Sequence, residues 1–362
     1  MIRLLYQYDT IMINFNQRQQ KIASIFLKND QLSSSMVYAE ITKLGEEVSL
    51  VTIKRLISKL LAVGILKISG SGRSTNYSIS TLGRIFANVN AENYCLVEPD
   101  RRYGLRQYNF DLLSEFPLEI FSKDELEVLE SATIEYKHLT KEVPRAIQKK
   151  ELERLIVELS WKSSKIEGNT YTLLDTEKLL LENKVALNKT KDETQMILNH
   201  KDAFNFIRQN KNQFKTISKK NLEELHYILI KKLNVGQGLR KKPVGILGSI
   251  YRPLDNVYQI NEAIEILVKK ISQTPSPYAK ALMALLGLAY IQPFEDGNKR
   301  TARIMTNAIL LAYNLAPLSY RSVDEEKYRE AVLVFYELNS IIPLKKIFIE
   351  QYNFAARNYA VK

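Results

Sequence analysis

Apolar positions recur at helical spacing along most of this chain. From residue 118 onward the periodicity predicts helices over 123–139, 145–166, 172–183, 191–210, 219–232, 261–272, 278–291, 299–313 and 324–338, with a helical tail. Residues 278–291 are apolar nearly all round, which marks a helix buried on every side. The stretch 14–90 reads differently. Helices are expected over 16–28, 34–43 and 49–61, the last with Ser49 as N-cap and Ile53, Leu56, Ile57, Leu60 and Leu61 as its inner stripe. Alternation over Ile65 to Ile68, a Ser-Gly-Ser-Gly-Arg-Ser-Thr-Asn turn and a return at Tyr77 to Ile79 then predict a two-stranded ribbon. Residues 91–117, with Pro99, Gly104 and Pro117, read as a connecting segment. The one break in the later helical region is 244–260, which reads as two strands around a Pro-Leu-Asp-Asn turn. These patterns divide the chain into 1–90, a linker 91–117 and a mainly α domain 118–362.

Charge sharpens the division. The 362 residues carry a net charge of +12, and residues 1–90 hold 11 Lys and Arg against 5 Asp and Glu, half of the excess. Such a balance points to an acidic partner, nucleic acid or nucleotide, although a solvated basic surface alone would also produce it. A single cysteine, Cys95, excludes an intrachain disulfide and reads as a packed thiol. Three scattered histidines argue against a zinc site, and His226 reads as a structural contact. The opening Met1–Asp9 is too short and polar for a signal peptide, and no apolar run reaches membrane-spanning length. The expectation is a cytoplasmic protein with no membrane partner.

Three helices followed by a ribbon resemble a winged helix-turn-helix, a small α+β domain. That resemblance makes 49–61 the candidate recognition helix. Thr52, Lys54, Arg55, Ser58 and Lys59 would then face the major groove of double-stranded DNA, with Arg73 at the wing tip. The same module used for docking or as a homodimer contact stays open.

Residues 291–303 carry the most chemistry: Ile-Gln-Pro-Phe-Glu-Asp-Gly-Asn-Lys-Arg-Thr-Ala-Arg. A buried helix breaks at Pro293, Gly297 and Asn298 permit a tight turn, and Asn298 is suited to cap the next helix. Free amides at that helix start attract anions. Arg300 and Arg303, three apart, emerge on one face and suit phosphate oxygens. Asp296 is placed to hold Mg²⁺ bridging such phosphates. The plainer alternative is a capped helix with two surface arginines.

The order of residues in this loop resembles the motif of the Fic family, His-Pro-Phe-x-Asp/Glu-Gly-Asn-Gly/Lys-Arg-x-x-Arg, and the resemblance covers roughly 118–355. It implies a helical bundle with a β-hairpin flap that binds ATP and transfers AMP to a hydroxyl of a target protein. By resemblance Asp296 would hold Mg²⁺, Gly297 and Asn298 would form the anion hole, and Lys299, Arg300 and Arg303 would contact phosphates. Gly248, Ser249, Ile250, Tyr251 and Arg252 would lie on the flap that aligns the target segment.

Two residues depart from the pattern. Gln292 stands at the general-base histidine, and a carboxamide takes no proton at neutral pH. Lys299 replaces the commoner glycine, as in the phosphate-transferring branch of the fold. The sequence therefore points to a nucleotide-binding regulatory protein with impaired transfer. The rivals are a working adenylyltransferase, or another phosphate-group transferase, and a non-catalytic scaffold.

Residues 160–169, Ser-Trp-Lys-Ser-Ser-Lys-Ile-Glu-Gly-Asn, put Ser163 and Glu167 on one helical face just before a Gly-Asn stop. An acid at a helix C-terminus opposes the helix dipole and needs a partner. The run resembles the inhibitory motif of the same family, Ser/Thr-x-x-x-Glu-Gly/Asn. That resemblance implies an inhibitory helix near 150–168 in which Glu167 pairs with Arg303.

Overall fold

The computed structural model describes residues 16–360, so the opening Met1–Asp9 lies outside the described residues. It divides into two compact units. The first holds the described residues up to Lys123 together with 246–251 and 330–344.

In this unit α1 (Gln17–Lys28) opens at a reciprocal capping box, in which the side chains of Asn16 and Gln19 each accept from the other's backbone amide. Ser33 and Ser49 cap α2 (Ser34–Lys43) and α3 (Leu50–Ala62) by accepting from the amide three residues on. Their apolar stripes meet in one core containing Ile22, Phe26, Val37, Ile41, Ile53, Ile57 and Leu60. The opposite face of α3 leaves Lys54, Arg55, Ser58 and Lys59 exposed. Gly64, at φ +74°, turns the chain out of α3. Strand β1 (Leu66–Ser69) then pairs antiparallel with β2 (Asn76–Ile79), Leu66 opposite Ile79 and Ser69 opposite Asn76.

Three short helices follow that periodicity did not predict: α4 (Thr81–Phe86), α5 (Ala91–Cys95) and α6 (Asp111–Ser114). One or two turns are too few to display a 3.6-residue repeat. Tyr94 of α5 joins the core together with Val334 and Leu338 from far along the chain. Cys95 is half-buried, and burial pushes its thiol up to about 11.

The second unit comprises 124–245, 252–329 and 345–360 among the described residues. Its helices are α7 (Lys123–Glu142), α8 (Arg145–Ile166), α9 (Leu173–Glu182), α10 (Lys191–Gln209), α11 (Lys219–Ile230), α12 (Val257–Gln273), α13 (Pro277–Ile291) and α14 (Asn298–Ala312). Then come α15 (Glu325–Leu338) and α16 (Ile342–Asn358), with 330–344 belonging to the first unit. As its all-round apolar sequence predicts, α13 is buried from Tyr278 to Ile291. Its neighbour α14 is buried almost as fully, arginines included. No described helix is long and apolar enough to cross a membrane.

The expected hairpin at 244–260 does not form. No strand ladder runs through these residues, and the half expected to return as a strand is the first turn of α12. Asn256 caps that helix by accepting from the amides of Tyr258 and Gln259. Val257 and Ile260 fit helical spacing once Ala263 and Ile264 are counted with them, and a run this short does not separate the two periods.

Gly83 of α4 is a point of close approach. A Cβ there would lie 2.3 Å from the Ile65 carbonyl oxygen and 2.8 Å from Ile79 Cγ1. That carbonyl is already engaged by the Ser80 amide and hydroxyl, both at 2.9 Å, so it cannot yield cheaply. Gly83→Ala is expected to cost about 1–3 kcal/mol by overpacking. An unchanged urea midpoint would contradict the close approach.

Candidate active site

Helix α13 ends at Gln292, which adopts the left-handed conformation (φ +50°) and donates from its side-chain Nε2 to Ala289 O at 2.7 Å. Residue 292 is nearly closed to solvent at 7% exposure. The Gln292 backbone oxygen accepts from Arg240 Nε at 2.6 Å, and Arg240 N donates to Pro293 O at 3.0 Å. Arg240 itself is buried, and it also donates to the carbonyls of Lys242 and Leu254. One cationic side chain thus ties the segment before α12 to the turn after α13.

Beyond Pro293 the loop closes on neutral groups. Phe294 is fully buried and stacks on the His226 ring at 3.6 Å. Burial pulls the His226 imidazole down to about 4, so it is neutral at physiological pH, and its Nε2 donates to Asp296 O at 3.0 Å. Asn298 does not cap α14 as expected. Its carboxamide instead clasps Phe294, accepting from the amide and donating to the carbonyl, both at 2.8 Å. The N-cap position falls to Gly297 at φ +78°, and no side chain caps the helix. The first-turn amides of α14 are therefore left for another acceptor.

Arg300 and Arg303 are buried at 2% and 0% exposure, not the surface arginines of the plainer reading. Arg300 Nη2 donates to Asp296 Oδ2 at 2.7 Å, while its Nη1 has no hydrogen-bond partner. Arg303 donates from Nε to Ser163 Oγ and from Nη2 to Ser163 O, both at 2.8 Å, and its Nη1 likewise lacks a partner. Each of these two buried guanidinium groups thus keeps one Nη without a hydrogen-bond partner, a donor of the kind that phosphate oxygens accept from.

Glu167, the C-cap of α8, supplies the counter-charge. Its Oε1 lies 2.8 Å from Arg303 Nη2, and its Oε2 lies 3.1 Å from Lys299 Nζ. Oε1 receives no aligned N–H, so the Arg303 contact is an ion pair rather than a directed hydrogen bond. Burial opposes ionisation of Glu167, but Arg303 and Lys299 outweigh it and hold the carboxyl down to about 2.

Ser163 is supported in turn. His200, fully buried, receives its hydroxyl at Nε2 (2.9 Å) and donates from Nδ1 to Met196 O (2.9 Å). Burial draws His200 down to about 3, which keeps it neutral, and the Met196 carbonyl fixes the proton on Nδ1. Reading the sequence missed His200 and Arg240. The histidine's only signal is its rarity, and Arg240 begins a basic Arg-Lys-Lys run that resembles a solvated face.

Asp296 is mostly exposed and occupied by Arg300. Among the described residues no group of three or more His, Cys, Asp or Glu side chains assembles. A lone carboxylate fits a Mg²⁺ ion that takes its remaining ligands from phosphates and water.

The Glu167 carboxyl has a definite signature in acid. Its folded value lies below the ordinary one near 4.3, so its stabilisation is complete above that pH and is lost as pH falls towards about 2. Glu167→Gln is expected to remove about 3 kcal/mol of acid-dependent stability over that window. Urea titrations from pH 6 down to pH 3 read somewhat over half of that loss, about 1.7 kcal/mol, and identical slopes for variant and parent would contradict the pair.

A family model described as Fic/DOC matches residues 216–310. The protein adenylyltransferase Fic of Aedes aegypti is 30% identical over 178 residues, 48% of this chain and 35% of that protein. Its counterpart in Nematostella vectensis is 30% identical over 173 residues, 46% of this chain and 40% of that protein. The match thus spans well under half the length of these curated relatives. Among solved structures, Fic-1 (residues 134–508) of C. elegans superposes with a TM-score of 0.53 at 20% identity, over 65% of this chain and 71% of that one, which speaks for the fold alone. The stretch that matches this family model carries Gln292, the Asn298 clasp and both buried arginines.

Proposed function

We propose that this protein binds ATP at the start of α14 and transfers its AMP moiety to a hydroxyl group of a protein. The observation that carries this reading is the pair of buried arginines, each with an unused Nη1, beside an uncapped helix terminus. The relatives favour transfer over binding alone, since they are named protein adenylyltransferases. In this reading Arg300, Arg303 and Lys299 hold the β- and γ-phosphates, the amides of the Gly297–Asn298 turn donate to phosphate oxygens, and Asp296 would hold Mg²⁺. The metal, when bound, offsets phosphate charge. Gly248 to Arg252 are assigned to presenting the target segment.

In the transfer step the target hydroxyl oxygen bonds to the α-phosphorus and pyrophosphate departs. The hydroxyl proton goes to solvent, because Gln292 has no basic lone pair and its amide is engaged with Ala289. General-base assistance is typically worth about 10²–10⁴-fold, so turnover is slow but not abolished. Glu167 is the brake: while it holds Arg303 and Lys299, neither is free for the γ-phosphate.

Radiolabel from α-labelled ATP tests this directly. Wild-type protein is expected to label itself weakly, and Gln292→His combined with Glu167→Gly strongly. By calorimetry, Glu167→Gly tightens ATP binding. Arg300→Ala weakens it about tenfold or more, as expected for a lost charged hydrogen bond. ATP affinity indifferent to both substitutions would refute the site.

A second reading concerns the first unit, which we propose to be a winged helix that binds duplex DNA. Lys54, Arg55 and Lys59 are exposed on one face of α3 and have no ion-pair partner among the described residues, and Arg73 is exposed in the turn between β1 and β2. Phosphate contacts of this kind weaken steeply with salt. Mobility shift of random duplex is expected at low salt, with loss as salt rises and in Lys54→Ala/Arg55→Ala/Lys59→Ala. No shift by the wild type at low salt would end this reading.

A further inference from the structure

The first unit contains a cavity of about 330 Å³ outside the Fic loop, at the small end of the range typical of ligand pockets. Its walls include Lys28, Arg101, Arg102, Tyr94, Tyr103 and Asn93, and no carboxylate lines it. Lys28 and Arg101 are exposed cations with no ion-pair partner among the described residues. Lys28 Nζ sits 5.6 Å from the centre of the Tyr103 ring, and the Arg102 guanidinium 5.7 Å from that of Tyr94. Cations, a carboxamide and phenol faces with no opposing acid select an anion that carries some apolar surface.

The back wall of this cavity leads elsewhere. Arg102 is buried and donates from Nη1 to Gly248 O at 2.9 Å and to Glu337 Oε1 at 3.4 Å. Glu337 is fully buried. Its Oε2 accepts from Tyr94 OH at 2.7 Å, and its Oε1 accepts from Ser249 Oγ at 2.7 Å and Ile250 N at 3.2 Å. The two residues that wall the cavity, Tyr94 and Arg102, therefore hold the segment 246–251 in place through one shared carboxylate. Ile250 and Tyr251 at the end of that segment are buried, with Tyr251 stacked on Tyr336, whereas Leu247 is fully exposed, so the carboxylate is what holds its exposed part to the cavity wall.

We propose that this cavity binds a small anion, a carboxylate or phosphate compound, and that its occupancy steadies residues 246–251 through Arg102 and Glu337. Arg102 also donates from Nε to Val97 O at 2.7 Å and from Nη2 to Cys95 O at 3.2 Å, so an anion beside Lys28 and Arg101 acts by adding a counter-charge that favours this arrangement, the one whose Nη1 reaches Gly248 and Glu337. The inference is separate from the nucleotide reading, because no residue of the Fic loop takes part.

Amide hydrogen exchange of the full chain, with inorganic phosphate or citrate against chloride at matched ionic strength, decides it. Either anion is expected to slow exchange at 246–251 by about fivefold or more, the lower end of ordinary coupling between sites. Lys28→Ala/Arg101→Ala, which removes two exposed side chains and leaves the core intact, is expected to abolish that slowing. Any protection that phosphate gives to 296–300 is expected to persist in the same variant, which separates this cavity from the loop. A response to phosphate or to citrate alone assigns the anion class. No slowing with either anion in the wild type, or equal slowing in the double variant, would overturn the proposal.

Discussion

Arg303 has no exposure to water, and a guanidinium in that position demands acceptors and a counter-charge from the protein itself. The C-terminal turns of α8 provide them. Ser163 gives its hydroxyl and its carbonyl, and Glu167 gives its carboxylate. The positions of α8 and α14 are coupled through this one side chain, and His200 on α10 locks the serine that receives it. Arg329 adds a second restraint by donating twice to Ile166 O at the end of α8. Yet the satisfaction is incomplete, because Nη1 of Arg303 and of Arg300 are left without partners.

The loop between α13 and α14 is held mainly by uncharged groups. A neutral imidazole, a buried phenyl ring and a carboxamide clasp set its shape without competing for anions. Arg240 is the exception, but its donors are spent on backbone carbonyls inside the fold. What a nucleotide would meet is therefore the amide terminus of α14 and the two arginines. Gln292 fits the same logic. It terminates α13 in a left-handed turn and keeps its amide on that helix, which is a structural role. It supplies no proton acceptor.

Much of the architecture was legible in the chain. Helices α1 to α3, α7 to α11 and α13 to α15 lie within a few residues of the spans predicted from apolar spacing, with Ser49 capping α3 as expected. The exceptions share a cause. Helices α4 to α6 are too short for a period to appear. In 244–260 an apolar run compatible with either period was resolved by Asn256, whose side chain starts a helix where a strand had been expected. Asn298 was misread for the same kind of reason: its carboxamide had two backbone groups of Phe294 within reach, and only the folded loop reveals that.

Taken alone, the residue order determined most of the longer helices, the composition of the loop at 291–303 and the presence of Glu167 four residues after Ser163, since these follow from local periodicity and spacing. It could not determine that Arg300 and Arg303 are buried, that His200 supports Ser163 or that Arg240 reaches the turn after α13. Nor did it reveal Glu337, which gathers Tyr94, Arg102, Ser249 and Ile250 onto one carboxylate from positions as much as 243 residues apart. Those facts depend on which helix faces pack together. Burial and long-range hydrogen bonding are properties of that packing, and they decide whether an arginine is a solvated surface charge or a buried one paired inside the fold.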